Sequence, residues 1–159
     1  MNKTVSITIN GTVFERTIPI RMLLVDFIRY EACLTGTHVG CTFEGVCGAC
    51  TVHLDDDAIK SCLMLAVQCD GRRITTVEGL ANGEELHPLQ IAFNQHHALQ
   101  CGYCTSGLLM AGVDLIKKES ELTEEKIRHG IVGNLCRCAA YSNIVDAILS
   151  VAHANVPSK

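Results

Sequence analysis

The sequence predicts an α+β protein: a small mixed sheet crossed by one helix, followed by an all-helical half. Three observations lead there. Val5, Ile7 and Ile9 recur with a period of two on one side of Asn10-Gly11, and an extended segment over residues 12–18 follows on the other. Beyond residue 83 the pattern becomes helical. Eight of the ten cysteines fall into two groups, one on each side of that change.

In chain order, Val5, Ile7 and Ile9 share one face of a strand over residues 4–10. Asn10-Gly11 offers the positive φ angles of a tight hairpin turn, and a second strand over 12–18 returns to pair with the first. Pro19 ends the hairpin, having no N–H to donate. Leu24, Phe27, Ile28 and Leu34 have near-helical spacing, which predicts a helix over 21–34. Residues 52–54 and 59–63 read as a second strand pair turned at Asp55-Asp56-Asp57, a solvated turn. Residues 72–78 complete the sheet. Leu80-Ala81-Asn82-Gly83 is the linker, so the expected domains are 1–80 and 84–159.

In the second half, Pro88 opens a helix through residue 99, because its missing N–H would be unpaired in the first turn anyway. Thr105 or Ser106 caps a helix through 118, whose Lys117 and Lys118 suit the negative end of its dipole. Thr123, followed by Glu124 and Glu125, starts a third helix, and residues 139–154 form a fourth. The Leu and Met side chains of residues 108–116 have helical spacing and are assigned to the core.

Composition narrows the function. The chain has 159 residues, 48% hydrophobic and 19% charged, which excludes general disorder. Its 13 Lys+Arg against 17 Asp+Glu give a net charge of -4, without the basic clusters of a nucleic-acid binder. The richest apolar run, residues 107–116, is broken by Asp114 and is too short to span a bilayer. The opening MNKTVSITIN has no apolar signal core, so a cytoplasmic location is expected. Cytosolic thiols are kept reduced, so ten cysteines point to metal ligation rather than disulfides.

Cys41, Cys47, Cys50 and Cys62 form C-x5-C-x2-C-x11-C; Cys101, Cys104, Cys136 and Cys138 form C-x2-C-x31-C-x-C. Four thiolates per group is what a 2Fe–2S cluster requires, and Gly40, Gly45 and Gly48 let a loop wrap closely around one. The first gap is one residue longer than in the plant-type ferredoxin loop. Structural zinc also takes four cysteines, but its sites favour pairs of short knuckles. A redox-active C-x-x-C at Cys101 lacks a surrounding βαβ unit. Cys33 and Cys69 belong to neither group and, in apolar settings, are read as buried, inert thiols. His96 and His97 point about 100° apart on a helix and are read as surface or interface residues. No phosphate loop or nucleophile motif is present, and nothing is placed to activate a substrate.

GTHVGCTFEGVCGACTV, IKSCLMLAVQ, LQCGYCTSG and GNLCRC together resemble the small iron–sulfur subunit of the xanthine oxidase family of molybdenum hydroxylases. The chain is especially similar to the small subunits of three-chain bacterial members such as aerobic carbon monoxide dehydrogenase. The resemblance runs from the first strand to about Ala152. It implies an N-terminal ferredoxin-like β-grasp domain and a C-terminal four-helix bundle, each with one 2Fe–2S cluster. It assigns Cys41, Cys47, Cys50 and Cys62 to the cluster nearer the flavin, and Cys101, Cys104, Cys136 and Cys138 to the one nearer the molybdopterin. Gln100 and Cys138 would approach the pterin itself, for which a carboxamide offers both a donor and an acceptor.

The implied partners are a large molybdopterin-binding subunit and a medium FAD-binding subunit, commonly as a doubled heterotrimer. Electrons would pass from the molybdenum centre through both clusters to FAD. Against the usual pattern, the Cys41–Cys47 gap is longer, Asp56 replaces a common glycine and Ser106 a frequent proline. Ala139-Ala140 stands where Thr-Gly is common, which removes a helix cap typically worth ~1 kcal/mol. Two rival readings stand beside this one. A free-standing ferredoxin-like carrier leaves the second cysteine group without a purpose, and a zinc-stabilised interaction module would carry no sulfide.

Overall fold

The computed structural model describes residues 1–154; the last five residues of the expected second domain lie outside that range. β1 (Asn2–Ile9) and β2 (Thr12–Pro19) form the expected antiparallel hairpin. Asn10 (φ 49°) and Gly11 (φ 81°) both take the left-handed conformation at its turn. β3 (Thr51–Leu54) pairs antiparallel with β4 (Asp57–Lys60). β5 (Arg73–Thr75) lies between the two hairpins, parallel to β1 and antiparallel to β3, giving the order β2-β1-β5-β3-β4. Val5, Ile7, Ile9, Ile18, Val52 and Ile74 bury one face of the sheet against Leu24, Phe27 and Ile28.

The crossing helix is shorter than its periodicity suggests. Residues before it are taken up by a turn from Met22 N–H to the Pro19 carbonyl and by a bridge between Leu23 and Leu65. α1 therefore spans only Leu24–Asp26 and continues as a π-helical turn, Phe27–Glu31. Cys33 then adopts φ 57°, which ends it, while Arg29 donates to the carbonyls of Thr35 and Thr37 and draws the chain back.

The second hairpin turns at Asp55 (φ 46°) and Asp56 (φ 81°), so Asp57 belongs to β4. The strand stops at Lys60, because the Ser61 N–H and hydroxyl both bond the Cys50 carbonyl and start a 3-10 turn over Ser61–Leu63. β5 stops at Thr75, since Asn10 holds Thr76 through both atoms of its carboxamide and a 3-10 turn, Val77–Gly79, follows.

The second half contains α2 (Pro88–Gln95), α3 (Thr105–Lys118), α4 (Glu124–Gly130) and α5 (Tyr141–Ala154). They share a core that includes Leu89, Phe93, Leu108, Ile127, Ile144 and Ile148, separate from the core of the sheet. Thr123 caps α4 as expected, accepting from the Lys126 N–H at 3.3 Å. His87 caps α2 through Nδ1, and Gln90 reaches back to the His87 amide. α2 ends before residue 99, because His97 turns left-handed (φ 50°). Thr105 and Ser106 do not cap α3. The N-cap position is Cys104, and both hydroxyls lie inside the protein without a hydrogen-bond partner. α5 starts at Tyr141, after Ala139 at φ 58°.

α3 docks the helices on the sheet. His53 Nε2 on β3 donates to the Met110 carbonyl at 2.8 Å. The aspartate turn is not merely solvated: Asp56 pairs with Lys117 at 3.0 Å and Asp57 with Lys118 at 2.8 Å. Among the described residues no helix is long and apolar enough to cross a membrane.

Candidate metal centres

The first cysteine group is gathered by the loop after α1 and by the 3-10 turn after β4. Cys41 and Cys47 meet as one pair of thiols. The amides of Cys47, foremost, then of Val46 and Glu44, point at the Cys41 sulfur; with the Cys47 thiol they bring its pKa down to about 7. Cys50 and Cys62 form a second, deeper pair, in which burial first and the neighbouring Cys50 thiol second push Cys62 up to about 12. The extra residue of the Cys41–Cys47 gap is absorbed locally. Thr42 (φ 55°) and Phe43 (φ 70°) form a left-handed turn closed by Glu44 N–H to the Cys41 carbonyl at 3.3 Å, with Phe43 on the surface. Gly40 leaves room for the pair, since a Cβ there would stand 3.1 Å from Cys47 Sγ.

The second group is drawn from the turn before α3 and the segment before α5. Cys101 meets Cys138, and Cys104 meets Cys136. The Tyr103 amide, then the Cys138 thiol, lower the Cys101 pKa, whereas burial and then Cys136 raise Cys104 to about 12. The Cys136 N–H donates to Tyr141 Oη at 2.8 Å, so a tyrosine at the start of α5 steadies a stretch that lacks the usual threonine. Gln100 is exposed, and its Nε2 donates to the Cys138 carbonyl at 3.4 Å.

The two groups are joined directly. The Leu135 N–H donates to the Cys47 carbonyl at 2.8 Å and Asn134 Nδ2 to the Gly48 carbonyl at 3.0 Å. Gly107 opens α3 against the same loop, where a Cβ would fall 2.2 Å from the Gly48 oxygen. A cavity of about 350 Å³ between the groups is lined by Gly40, Cys47, Cys101, Cys104, Cys136 and Tyr103, among others. Sequence reasoning passed over Tyr103, Asn134, His38 and Lys60. Tyr103 and Asn134 lay in plain sight inside CGYC and GNLCRC.

The donor set fits two 2Fe–2S clusters. Each iron of such a cluster takes two thiolates, and here the thiols meet two by two. Among the described residues no three His, Cys, Asp or Glu side chains converge as a single metal ion would require. Cys69 is buried and inert as expected, its thiol pushed up to about 11 by burial. Cys33 is not buried: its left-handed backbone at the end of the π-helical turn leaves it exposed.

A family model described as a [2Fe-2S] binding domain matches residues 76–149. The caffeine dehydrogenase subunit gamma of Pseudomonas sp. (strain CBB1) is 51% identical over 150 residues, covering 92% of this chain and 89% of that one. The xanthine dehydrogenase iron-sulfur-binding subunit of Escherichia coli O157:H7 is 43% identical, covering 92% of each. Among solved structures, quinoline 2-oxidoreductase from Pseudomonas putida 86 superposes with a TM-score of 0.90 at 44% identity, over 96% of this chain and 95% of the matched chain.

Proposed function

The chain belongs to the small 2Fe–2S iron–sulfur subunits of the xanthine oxidase family of molybdenum hydroxylases, and from that premise we propose how its residues serve the complex. It is the non-catalytic electron-transfer subunit of an oxidoreductase. Cys41, Cys47, Cys50 and Cys62 hold one cluster, and Cys101, Cys104, Cys136 and Cys138 the other, as four thiol pairs with one pair per iron. When bound, each cluster accepts and passes on one electron. The observation that carries this reading is the meeting of eight thiols in four pairs, two pairs on each side of the Leu135–Cys47 hydrogen bond.

The chain's own residues hold and insulate. Amides of the Cys41–Cys47 loop neutralise thiolate charge, and the deep pair Cys50–Cys62 is kept from water by Val25, Leu23 and Val39. Exposed Gln100 and half-buried Cys138 lie on the side of the second group that faces outward, where they approach the molybdopterin of a large partner subunit. Electrons run from there through the Cys101 group and the Cys41 group to FAD on a medium subunit, in a doubled heterotrimer in the cytoplasm. The sheet is the ferredoxin-like β-grasp domain, residues 1–80, and α2–α5 are the four-helix bundle of domain 84–159.

The test is purification of the chain with its native partners. A molybdenum-containing large chain and an FAD-containing medium chain in equal amounts are expected. Recovery as a lone redox-active monomer would favour a free-standing carrier instead.

A further inference from the structure

We propose that Lys60 is a positioning residue that sets the reduction potential of the Cys41-group cluster; the inference rests on the two-cluster reading above. Lys60 ends β4 opposite Thr51, the residue after Cys50, and stands two residues before Cys62. Its side chain is half-buried. Nζ donates to Thr51 Oγ1 at 2.9 Å and to Asn134 Oδ1 at 3.0 Å. Asn134 is held in turn by Gly48, and the end of the lysine lies 3.9 Å from where a Gly133 Cβ would stand. The ammonium is therefore fixed in place from both halves of the protein.

What surrounds it gives the charge a direction. Among the described residues Lys60 pairs with no carboxylate, unlike Lys3, Lys117, Lys118 and Lys126. Thr51 follows Cys50 directly, and Asn134 is bonded to the carbonyl of Gly48, which lies between Cys47 and Cys50, so both anchors hold the ammonium beside the loop that carries the Cys47 and Cys50 thiols. Reduction adds one negative charge to the cluster those thiols hold. A fixed cation beside it favours the reduced form, and partial burial weakens the screening by water. Arg137, between Cys136 and Cys138, is exposed and makes no side-chain hydrogen bond among the described residues, so its charge is neither fixed nor shielded from water as that of Lys60 is, and the effect separates the two potentials.

The experiment is a redox titration of the assembled complex followed by electron paramagnetic resonance, in which two 2Fe–2S signals are resolved. Lys60→Gln and Lys60→Met both remove the charge, Gln keeping a polar end and Met only the length. Both are expected to lower the potential of the same signal by roughly tenfold in the reduced-to-oxidised ratio, or 59 mV for one electron. The other signal should stay in place, and Lys60→Arg should stay near wild type. Two intact signals with unchanged potentials in both uncharged variants would overturn the role of Lys60 alone. So would a shift in Lys60→Arg as large as in Lys60→Met. Absence of two 2Fe–2S signals from the wild-type complex would instead overturn the cluster reading itself.

Discussion

The ring of Tyr103 stacks on the ring of His38, with centroids 4.5 Å apart and planes 15° from parallel. Tyr103 lies between Cys101 and Cys104, and His38 lies three residues before Cys41, so the stack clasps the two cysteine loops. Two hydrogen bonds lock it: Tyr103 Oη donates to the Val39 carbonyl and His38 Nδ1 to the Tyr103 carbonyl, each at 2.8 Å.

Tyr103→Phe keeps the stack and removes the bond to Val39. A loss of about 1 kcal/mol in unfolding free energy of the cluster-loaded chain is expected. His38→Ala combined with Tyr103→Ala should give a coupling energy of ~0.5–1.5 kcal/mol in a double-mutant cycle by chemical denaturation. Strict additivity would show that the stack contributes nothing.

Gly107→Ala should be harmful although glycine is usually a poor helix residue. Its Cβ would meet the Gly48 carbonyl at 2.2 Å, and that carbonyl already accepts from Asn134 and Thr51. Overpacking of roughly 1–3 kcal/mol is expected, read as a lower denaturation midpoint. A midpoint at or above wild type would contradict the close approach of α3 to the first loop.

The thiols should differ in reactivity. In the metal-free chain at pH 8, Cys41 and Cys101, whose pKa values are lowered by amide donors, hold more thiolate than Cys62 and Cys104, whose values burial raises to about 12. Iodoacetamide labelling mapped by mass spectrometry should therefore mark Cys41 and Cys101 first. In the cluster-loaded chain exposed Cys33 should label readily and Cys69 should not. Equal labelling of Cys33 and Cys69 would refute their placement.

The docking of sheet on helix should be salt-sensitive. Asp56–Lys117 and Asp57–Lys118 bridge the two halves at 3.0 and 2.8 Å on the surface, where ions screen them. Raising ionic strength should lower the thermal midpoint of the wild type more than that of Asp56→Asn/Asp57→Asn. Identical salt dependence would remove these pairs from the docking.

These contacts mark where sequence reading stopped. Asn10-Gly11 was legible because a hairpin turn needs positive φ at both centres, and few residue pairs accept it so readily. Val5, Ile7 and Ile9 were legible through their period of two. The length of α1 was not: Leu24, Phe27 and Ile28 keep their apolar face through a π-helical turn, and periodicity cannot see that Cys33 turns left-handed. The eight paired cysteines announced themselves by spacing, whereas the fit of the longer Cys41–Cys47 gap depended on two non-glycine residues accepting left-handed φ. Lys117 and Lys118, which meet Asp56 and Asp57, and Asn134, which meets Lys60, lie 60 or more positions away in sequence, which no local pattern reports. Cys33 was misjudged for the same reason, since apolar neighbours in sequence do not bury a side chain that the backbone turns outward.

The most direct test of the central claim is iron and acid-labile sulfide analysis of the purified chain, joined to electron paramagnetic resonance of Cys41→Ser and Cys101→Ser. About four irons and four sulfides per chain are expected, with each substitution perturbing a different one of two signals. Zinc without sulfide, or two signals untouched by both substitutions, would contradict it.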